Sequence, residues 1–409
     1  MSQTLRGEYP ETRGFASPYL DRTRAPDETV ALMRPRFADF GITRLARVTG
    51  LDVIGIPVWS AIRPNSRTLA VSQGKGLDDS AAMASAAMEA IEVATAERAD
   101  LPHRTCSAND IAAEGGSADL LSGLLRAGAT APEPAENIDW IAGYDLLHKA
   151  PVWVPLDAAT LLDARVRSRY WQSTDGLASG NILWEAIVHG LCERIERDAL
   201  ALWSLRNDAQ VAACCRDPHK LDDPELRKLV ALIEGAALQL RLFDIASDIG
   251  VPAFLALISP APNGQEASWK HFDLSSGSGC HPNRVRAILR AVTEAAQTRL
   301  TTISAIRDDF DPEKYETKLN VSLLPYIRLS PAGQWARESA TAIDRSVYLD
   351  FMVERLRAVG VRSIIVVPLE AGEAGYAVAK VLVPDFENPP GDRRFPYGRR
   401  AVRAMLAAA

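Results

Sequence analysis

Residues 181–203, NILWEAIVHGLCERIERDALALW, decide how the rest of the chain is read. At about 100° per residue of helix, Glu185, His189, Glu193, Glu196 and Arg197 fall within roughly a third of the circumference. Ile187, Leu191, Ile195, Ala199, Leu202 and Trp203 supply apolar surface around that stripe, so the charges sit beside a core. Carboxylates this close raise one another's pKa unless a cation shares the site. The run therefore reads as half of a metal or phosphate site. Asn181 stands where an N-cap belongs, although a buried amide there would also suit a base edge.

The other half must come from elsewhere in the chain. In residues 71–98, VSQGKGLDDSAAMASAAMEAIEVATAER, a strand end and a Gly-Lys-Gly turn lead into an alanine-rich helix. Ser85, Glu89 and Glu92 share one face at i, i+4 and i+7. A solvated stripe explains them about as well, but small neighbours such as Ala82, Ala86 and Ala87 suit close packing against a partner or ligand. In residues 283–304, NRVRAILRAVTEAAQTRLTTIS, Arg290, Glu294 and Gln297 share a helical face. Arg299 lies about 160° from Gln297, on another surface unless the helix distorts. The preceding SSGSGCHP, residues 275–282, resembles a phosphate loop superficially, lacks the GK[ST] ending, and is expected to be a turn.

Outward from these helices, residues 1–28 read as an arm over the surface, and Asp27 is expected to cap a helix over 28–40 that Pro35 interrupts and Gly41 closes. The expected division is an arm and helix over 1–41 and a catalytic domain over 42–409. Strands are expected within 42–70, and residues 101–137 look like an insertion over one short helix. A hairpin over 137–156, strands at 238–246, 251–259, 361–369 and 376–384, and helices at 224–235 and 346–359 argue an α+β architecture. The arginines between 393 and 403 read as solvated surface.

Composition excludes several classes. With 409 residues, 47% of them hydrophobic, and a net charge of −6, the chain has a large core and no global field for nucleic acid or an anionic membrane. No run reaches the ~18 apolar residues of a membrane helix, and MSQTLRGEYP lacks signal-peptide order, so a cytoplasmic location is expected. Five cysteines without a CxxC pair indicate reduced packing residues.

Acids at i and i+3 on two helices suit Mg²⁺ shared with nucleotide phosphates, while arginine or lysine neutralises the phosphate. Two helices interlocked by buried ion pairs would fit the residue types equally. Five segments favour the first reading: GLDVIGIPVWSAIRP (50–64), SQGKGLDDSAAMASAAMEAIE (72–92), ASGNILWEAIVHGLCERIERDA (178–199), RAVTEAAQTR (290–299) and VLVP (381–384). With them the chain resembles the YcaO family over roughly residues 22–400.

The resemblance implies mixed β-sheets packed with helices that line an ATP pocket, and ATP- and Mg²⁺-dependent activation of a peptide backbone amide. It implies Ser85, Glu89, Glu92, Glu193 and Glu196 in the Mg²⁺–ATP shell, the four glutamates as metal ligands. Arg197 and Arg299 would hold phosphates, Gln297 would support the pocket, Asn181 would lie near adenine, and Glu185 matches the acid of the family's EA pair. Lys75, Thr29 and Arg22, or else Arg24, complete the implied nucleotide contacts.

There are departures from the family pattern. Val93 stands where an arginine is usual, and the end RAMLAAA lacks the alternating prolines of many azoline-forming members. Val93 leaves one expected ion pair without its arginine, and the missing prolines lean towards thioamidation of a peptide or protein with a TfuA-like sulfur-delivery partner. Azoline formation from Cys, Ser or Thr is the second expectation, and a non-catalytic leader-binding scaffold the third. A homodimer without nucleic acid or membrane is expected. No protein nucleophile is required, and Cys192, beside an acid, is poorly suited to be one.

Overall fold

A computed structural model describes residues 21–98, 100–161, 168–264, 266–307, 312–319, 324–332, 335, 344–371, 374–388 and 397–408. Most of the predicted arm, and Arg393 and Arg394 of the arginine run, lie outside the described residues. In chain order, helix α1 (Pro26–Met33) passes through a 3₁₀ turn, Arg34–Phe40, to Gly41, whose φ of 71° only glycine adopts freely. Strands β1 (Arg44–Arg47), β2 (Val58–Ile62) and β3 (Val71–Lys75) form an antiparallel sheet in that order, and helix α2 (Asp79–Ala96) packs on β2 and β3. Then come β4 (Arg104–Cys106), the hairpin β5 (Ile138–Asp145) and β6 (Ala150–Pro155), β7 (Leu177–Gly180) and helix α3 (Leu183–Trp203).

The second half supplies β8 (Cys215–Arg216), helix α4 (Pro224–Gly235), β9 (Leu238–Asp244), β10 (Ala253–Pro260), β11 (Ser275–Cys280) and helix α5 (Arg284–Ser304). Helix α6 (Tyr348–Ala358), β12 (Ile365–Ala371), β13 (Ala377–Leu382) and helix α7 (Arg399–Ala408) follow. Strands β11-β10-β9-β8 make a second sheet. The third runs β4-β5-β12-β13-β7, with β6 on β5. Every pairing between these strands is antiparallel, so the α+β expectation holds.

Helix α3 lies between the second and third sheets. Its Ile187, Leu191 and Ile195 share one core with Phe243 and Leu255 on one side and Val366 and Val381 on the other. That burial fixes which face of α3 is left for the charged groups.

Two glycine pairs set how close the other helices come. A β-carbon on Gly277 would lie 2.2 Å from the Ala295 nitrogen, and one on Gly279 would lie 2.1 Å from the Ala287 carbonyl oxygen, both α5 backbone. One on Gly74 would lie 2.0 Å from the Ala86 nitrogen of α2. Both stretches expected as turns are therefore strand: alternate glycines face the helix, and the residues between them point the other way. Gly279→Ala is expected to lower stability in urea unfolding by about 1–3 kcal/mol, the usual cost of overpacking. An unchanged midpoint would mean that α5 rides further from β11.

Other boundaries differ for local reasons. Helix α1 begins two residues early, with Ala25 as N-cap and its nitrogen donating to Glu28 Oε2 at 3.0 Å, which leaves Asp27 inside the first turn. Ile182, not Asn181, is the N-cap of α3, because the Asn181 side chain is taken up in cross-links to α1 and Glu185. The arginine run contains a helix, and Arg400 there is buried against Asp198 of α3.

Candidate active site

Helices α2, α3 and α5 deliver their charged faces to one place. On α3, Arg197 reaches Glu193 Oε1 at 3.3 Å, Glu196 Oε1 at 3.9 Å and Asp175 Oδ1 at 3.2 Å. Glu193 also accepts from the Gly176 nitrogen at 3.0 Å, and Glu196 accepts from the Ser278 hydroxyl of β11 at 2.6 Å. On α2, Glu92 accepts from both the nitrogen and the hydroxyl of Ser179 in β7, at 2.8 and 2.6 Å. Ser85 and Glu89 lie on successive turns of the same helix. Lys75, at the end of β3, is paired with Glu294 of α5. Gln297 donates to the Gln73 carbonyl at 3.0 Å, tying α5 to β3.

The electrostatics show an acid cluster short of positive charge. Burial pushes Glu89 up to about 7, against the pull of Lys75 and Arg307, and the Glu193 charge adds to the rise. Burial pushes Glu92 up to about 8; the Ser179 hydroxyl opposes this, and Glu89 and Glu193 add to it. Glu193 is raised by burial, opposed by Arg197 and reinforced by Asp175 and Glu196. Burial acts the same way on Glu294, but Lys75 and Arg197 outweigh it and hold that carboxyl below its ordinary range. The two helices therefore sense each other's carboxylates, as one shared site requires.

A folded-state pKa above the ordinary 4.5 means that the native protein holds more protons than the unfolded chain in between. Stability without metal should therefore fall as pH rises from about 5 to 8. Thermal melts of Glu89→Gln/Glu92→Gln should show a flatter fall over that window than wild type. Parallel curves would mean that burial does not hold these two carboxyls above their ordinary pKa.

The oxygen donors fit a hard divalent ion, and neighbouring Lys75 and Arg197 suit phosphate. The expected cage of four glutamates is not preassembled: among the described residues no three His, Cys, Asp or Glu side chains stand in a metal-holding arrangement. Glu92, Glu193 and Glu196 are each drawn to a separate hydroxyl or amide instead. Mg²⁺ commonly takes only one or two carboxylates, with phosphates and waters completing its shell, so this open arrangement suits a metal–nucleotide better than a bare metal.

The remaining expected residues divide into two groups. The Asn181 side chain sits with the Thr29 hydroxyl at 2.9 Å and Arg24 at 3.5 Å. Glu185 accepts from the Thr23 nitrogen at 2.5 Å, the Asn181 nitrogen at 2.8 Å and Arg22 at 3.4 Å, so it clamps residues 22–23 onto the start of α3. Arg22 also donates to the Ser179 carbonyl at 2.9 Å. Arg299 is the exception. Its Nε donates to both Asp52 oxygens, at 3.0 and 3.1 Å, and none of its contacts with described residues is to the acids of α2 or α3.

Three partners escaped the sequence reading, Asp175, Ser179 and Ser278, while Glu294 and Arg290 were read only as sharing a helical face with Gln297. Ser179 and Ser278 share a signal, a serine next to glycine in a small-residue strand just before a charged helix. Asp175 carries no comparable mark.

With the geometry in place, comparison with known proteins is decisive. A family model described as YcaO cyclodehydratase, ATP- and Mg²⁺-binding, matches residues 73–387. The chain belongs to the YcaO family. A relative from Rhizobium leguminosarum bv. trifolii, described as an uncharacterized protein in a tfuA 3′ region, is 38% identical over 99% of this chain and 98% of its own length. An uncharacterized protein of Methanothermobacter thermautotrophicus is 31% identical over 88% of this chain and 94% of its own. YcaO of Methanopyrus kandleri, solved with AMPPCP and Mg²⁺, shares the fold at a TM-score of 0.68 and 22% identity, over 90% of this chain and 97% of that one. A heterocyclase in complex with substrate and cofactor shares it at 0.71 and 20% identity, and the YcaO chain spans 56% of its length. As a YcaO protein the chain carries an ATP- and Mg²⁺-binding domain, and the acids on α2 and α3 lie within the matched span.

Proposed function

We propose that this YcaO protein activates a backbone amide of a ribosomally made peptide or protein for exchange of oxygen by sulfur, with a TfuA-like partner delivering sulfide. The observation that carries the thioamide reading is the relative in a tfuA 3′ region, similar over nearly the whole of both chains.

The chemistry explains why the site is built from charge. Sulfide adds to the amide carbonyl, and the resulting oxyanion leaves only as a better leaving group. ATP supplies the phosphoryl group that makes it one, so the products are a thioamide, ADP and phosphate. The chain contributes no nucleophile in this scheme. Glu89, Glu92, Glu193 and Glu196 hold the divalent ion in subsets, and Arg197, itself steadied by Asp175, offers a guanidinium to the phosphates. Ser179 and Ser278 orient Glu92 and Glu196. Asn181 and Thr29 form the end of the pocket suited to a base, and Glu185 positions it by holding residues 22–23.

A second reading, azoline formation, is favoured by the family's description as cyclodehydratase. Mass spectrometry of the modified peptide separates the two: exchange replaces one oxygen by one sulfur, whereas ring closure loses one water. The expected result, with Mg²⁺, ATP, sulfide and the partner present, is the sulfur product together with ADP. Water loss without sulfur would select the second reading. No modification and no ADP would leave only a binding scaffold.

A further inference from the structure

A second cluster of charge lies behind the acid array, across Asp175 from Arg197. Arg194 of α3 and Lys380 of β13 are 4% and 6% exposed, and both line a cavity of about 30 Å³ together with Tyr170, Ser173, Asp175 and Asn388. Lys380 Nζ donates to the Ser173 carbonyl. Arg194 reaches Asn388 Oδ1 at 3.4 Å and Asp175 Oδ2 at 4.0 Å. Among the described residues neither cation has a carboxylate at hydrogen-bond distance.

The wall is short of negative charge. Asp175, the acid that lines the cavity, is drawn closer to Arg197, at 3.2 Å, so one carboxylate serves three cations. Burial pulls Lys380 down to about 8, with Arg194 adding to the fall and Asp175 and Glu193 opposing it. Burial pulls Arg194 down as well, against Asp175 first. Buried cations in this state gain from any anion placed between them.

Size decides which anion fits. A volume of about 30 Å³ admits roughly one or two species of water size. Phosphate, a nucleotide and a peptide exceed it. Of the reactants in the proposed thioamidation, hydrosulfide is the small anion. A larger cavity of about 570 Å³ shares the Asn388 wall and leads from the surface. Its acids Asp385 and Glu387 are already bonded, to Arg362 and to the start of α7, whereas Arg126 and Arg399 on its wall are exposed, so an anion has a positively charged approach. We infer that the small cavity between Arg194 and Lys380 is the holding site for hydrosulfide, the sulfur nucleophile of the reaction. This rests on the thioamide reading and adds Arg194 and Lys380 to the residues that serve it.

The test is binding and does not depend on turnover. Quadrupolar line broadening of chloride by the full-length protein is titrated with sodium sulfide, for wild type, Lys380→Met and Lys380→Arg. Mg²⁺ and a non-hydrolysable ATP analogue are present throughout, so that the nucleotide pocket is filled. Wild type should broaden the chloride line, and sulfide should reverse the broadening. Lys380→Met should weaken sulfide by about 10–100-fold, the scale of a lost charged hydrogen bond, and Lys380→Arg should fall between. Broadening that sulfide does not reverse, or a sulfide affinity that Lys380→Met leaves unchanged, would overturn the assignment. If Lys380→Met melts early, wild-type crystals soaked in sodium bromide decide: anomalous density between Lys380 Nζ and Arg194, lost on adding sulfide, is expected, and its absence or its persistence with sulfide would overturn the site. A wild-type protein that binds sulfide here yet yields no sulfur product by mass spectrometry would overturn the thioamide reading, a separate result, and with it the role of this anion as nucleophile.

Discussion

Glu196→Gln is expected to lower ADP release by about 100–1000-fold, the usual loss when one charged group aimed at a phosphoryl transfer site is removed. The substitution keeps the shape of the side chain, and the Ser278 hydroxyl still has an oxygen to donate to. What is lost is the negative charge beside Arg197, whose Nη1 is 3.9 Å away, and one hard donor for the metal. Because Glu196 is buried among packed neighbours, glutamine rather than alanine isolates charge from volume. Circular dichroism melts should stay within a few degrees of wild type while steady-state ADP release collapses. Equal turnover by both proteins would remove Glu196 from the machinery and, with it, the proposed role of α3.

Arg400→Ala is expected to destabilise the protein by about 3–5 kcal/mol in urea unfolding, the cost of leaving one member of a buried ion pair alone. Asp198, fully buried on α3, receives Arg400 Nε at 2.9 Å and Nη2 at 2.9 Å, and it also accepts from the Glu387 nitrogen at 3.0 Å. Arg400 Nη2 reaches Asp248 at 2.6 Å as well. The start of α7 is held by Glu387, which accepts from the Gly398 and Ala401 nitrogens at 2.9 Å each. Lysine would not replace this fork, since a single ammonium cannot bridge two carboxylates with the same geometry. A compensating Asp198→Asn in the Arg400→Ala background should recover part of the loss, because no buried charge then lacks a partner. If the single change costs under about 1 kcal/mol, the pair is far more hydrated than its burial indicates.

The contrast between Glu196 and Asp198 shows what the sequence carries and what it hides. Both are acids on one helix, two residues apart, and period alone puts them on different faces. Helical spacing therefore separates the acid array from the anchoring face, and it sets Arg299 about 160° from Gln297 while leaving open whether the helix distorts. Spacing does not reveal that Asp198 meets an arginine some 200 residues later, because that contact depends on how the segment after β13 folds back onto α3. The tail's arginines resemble solvated surface for the same reason.

The glycine stretches failed for a local reason. SQGKG and SSGSG have turn composition, yet their glycines serve close helix packing, which only the tertiary arrangement discloses. Strands β5, β6, β9, β10, β12 and β13 were legible because their alternation or apolar runs match buried sheet. Spacing put Glu89 with Glu92 on one helical face and Glu193 with Glu196 on another, and the family resemblance joined the two pairs. Their serine neighbours were not legible, since a lone serine carries no period.

Paramagnetic resonance of Mn²⁺, titrated with a non-hydrolysable ATP analogue into wild type, Glu92→Gln and Glu193→Gln, asks most directly whether α2 and α3 share one metal–nucleotide. The expected result is tight Mn²⁺ binding that needs the analogue, weakened at least 10-fold by a change on either helix alone. Mn²⁺ bound equally well by all three proteins, or equally well without nucleotide, would contradict a site shared between the two helices.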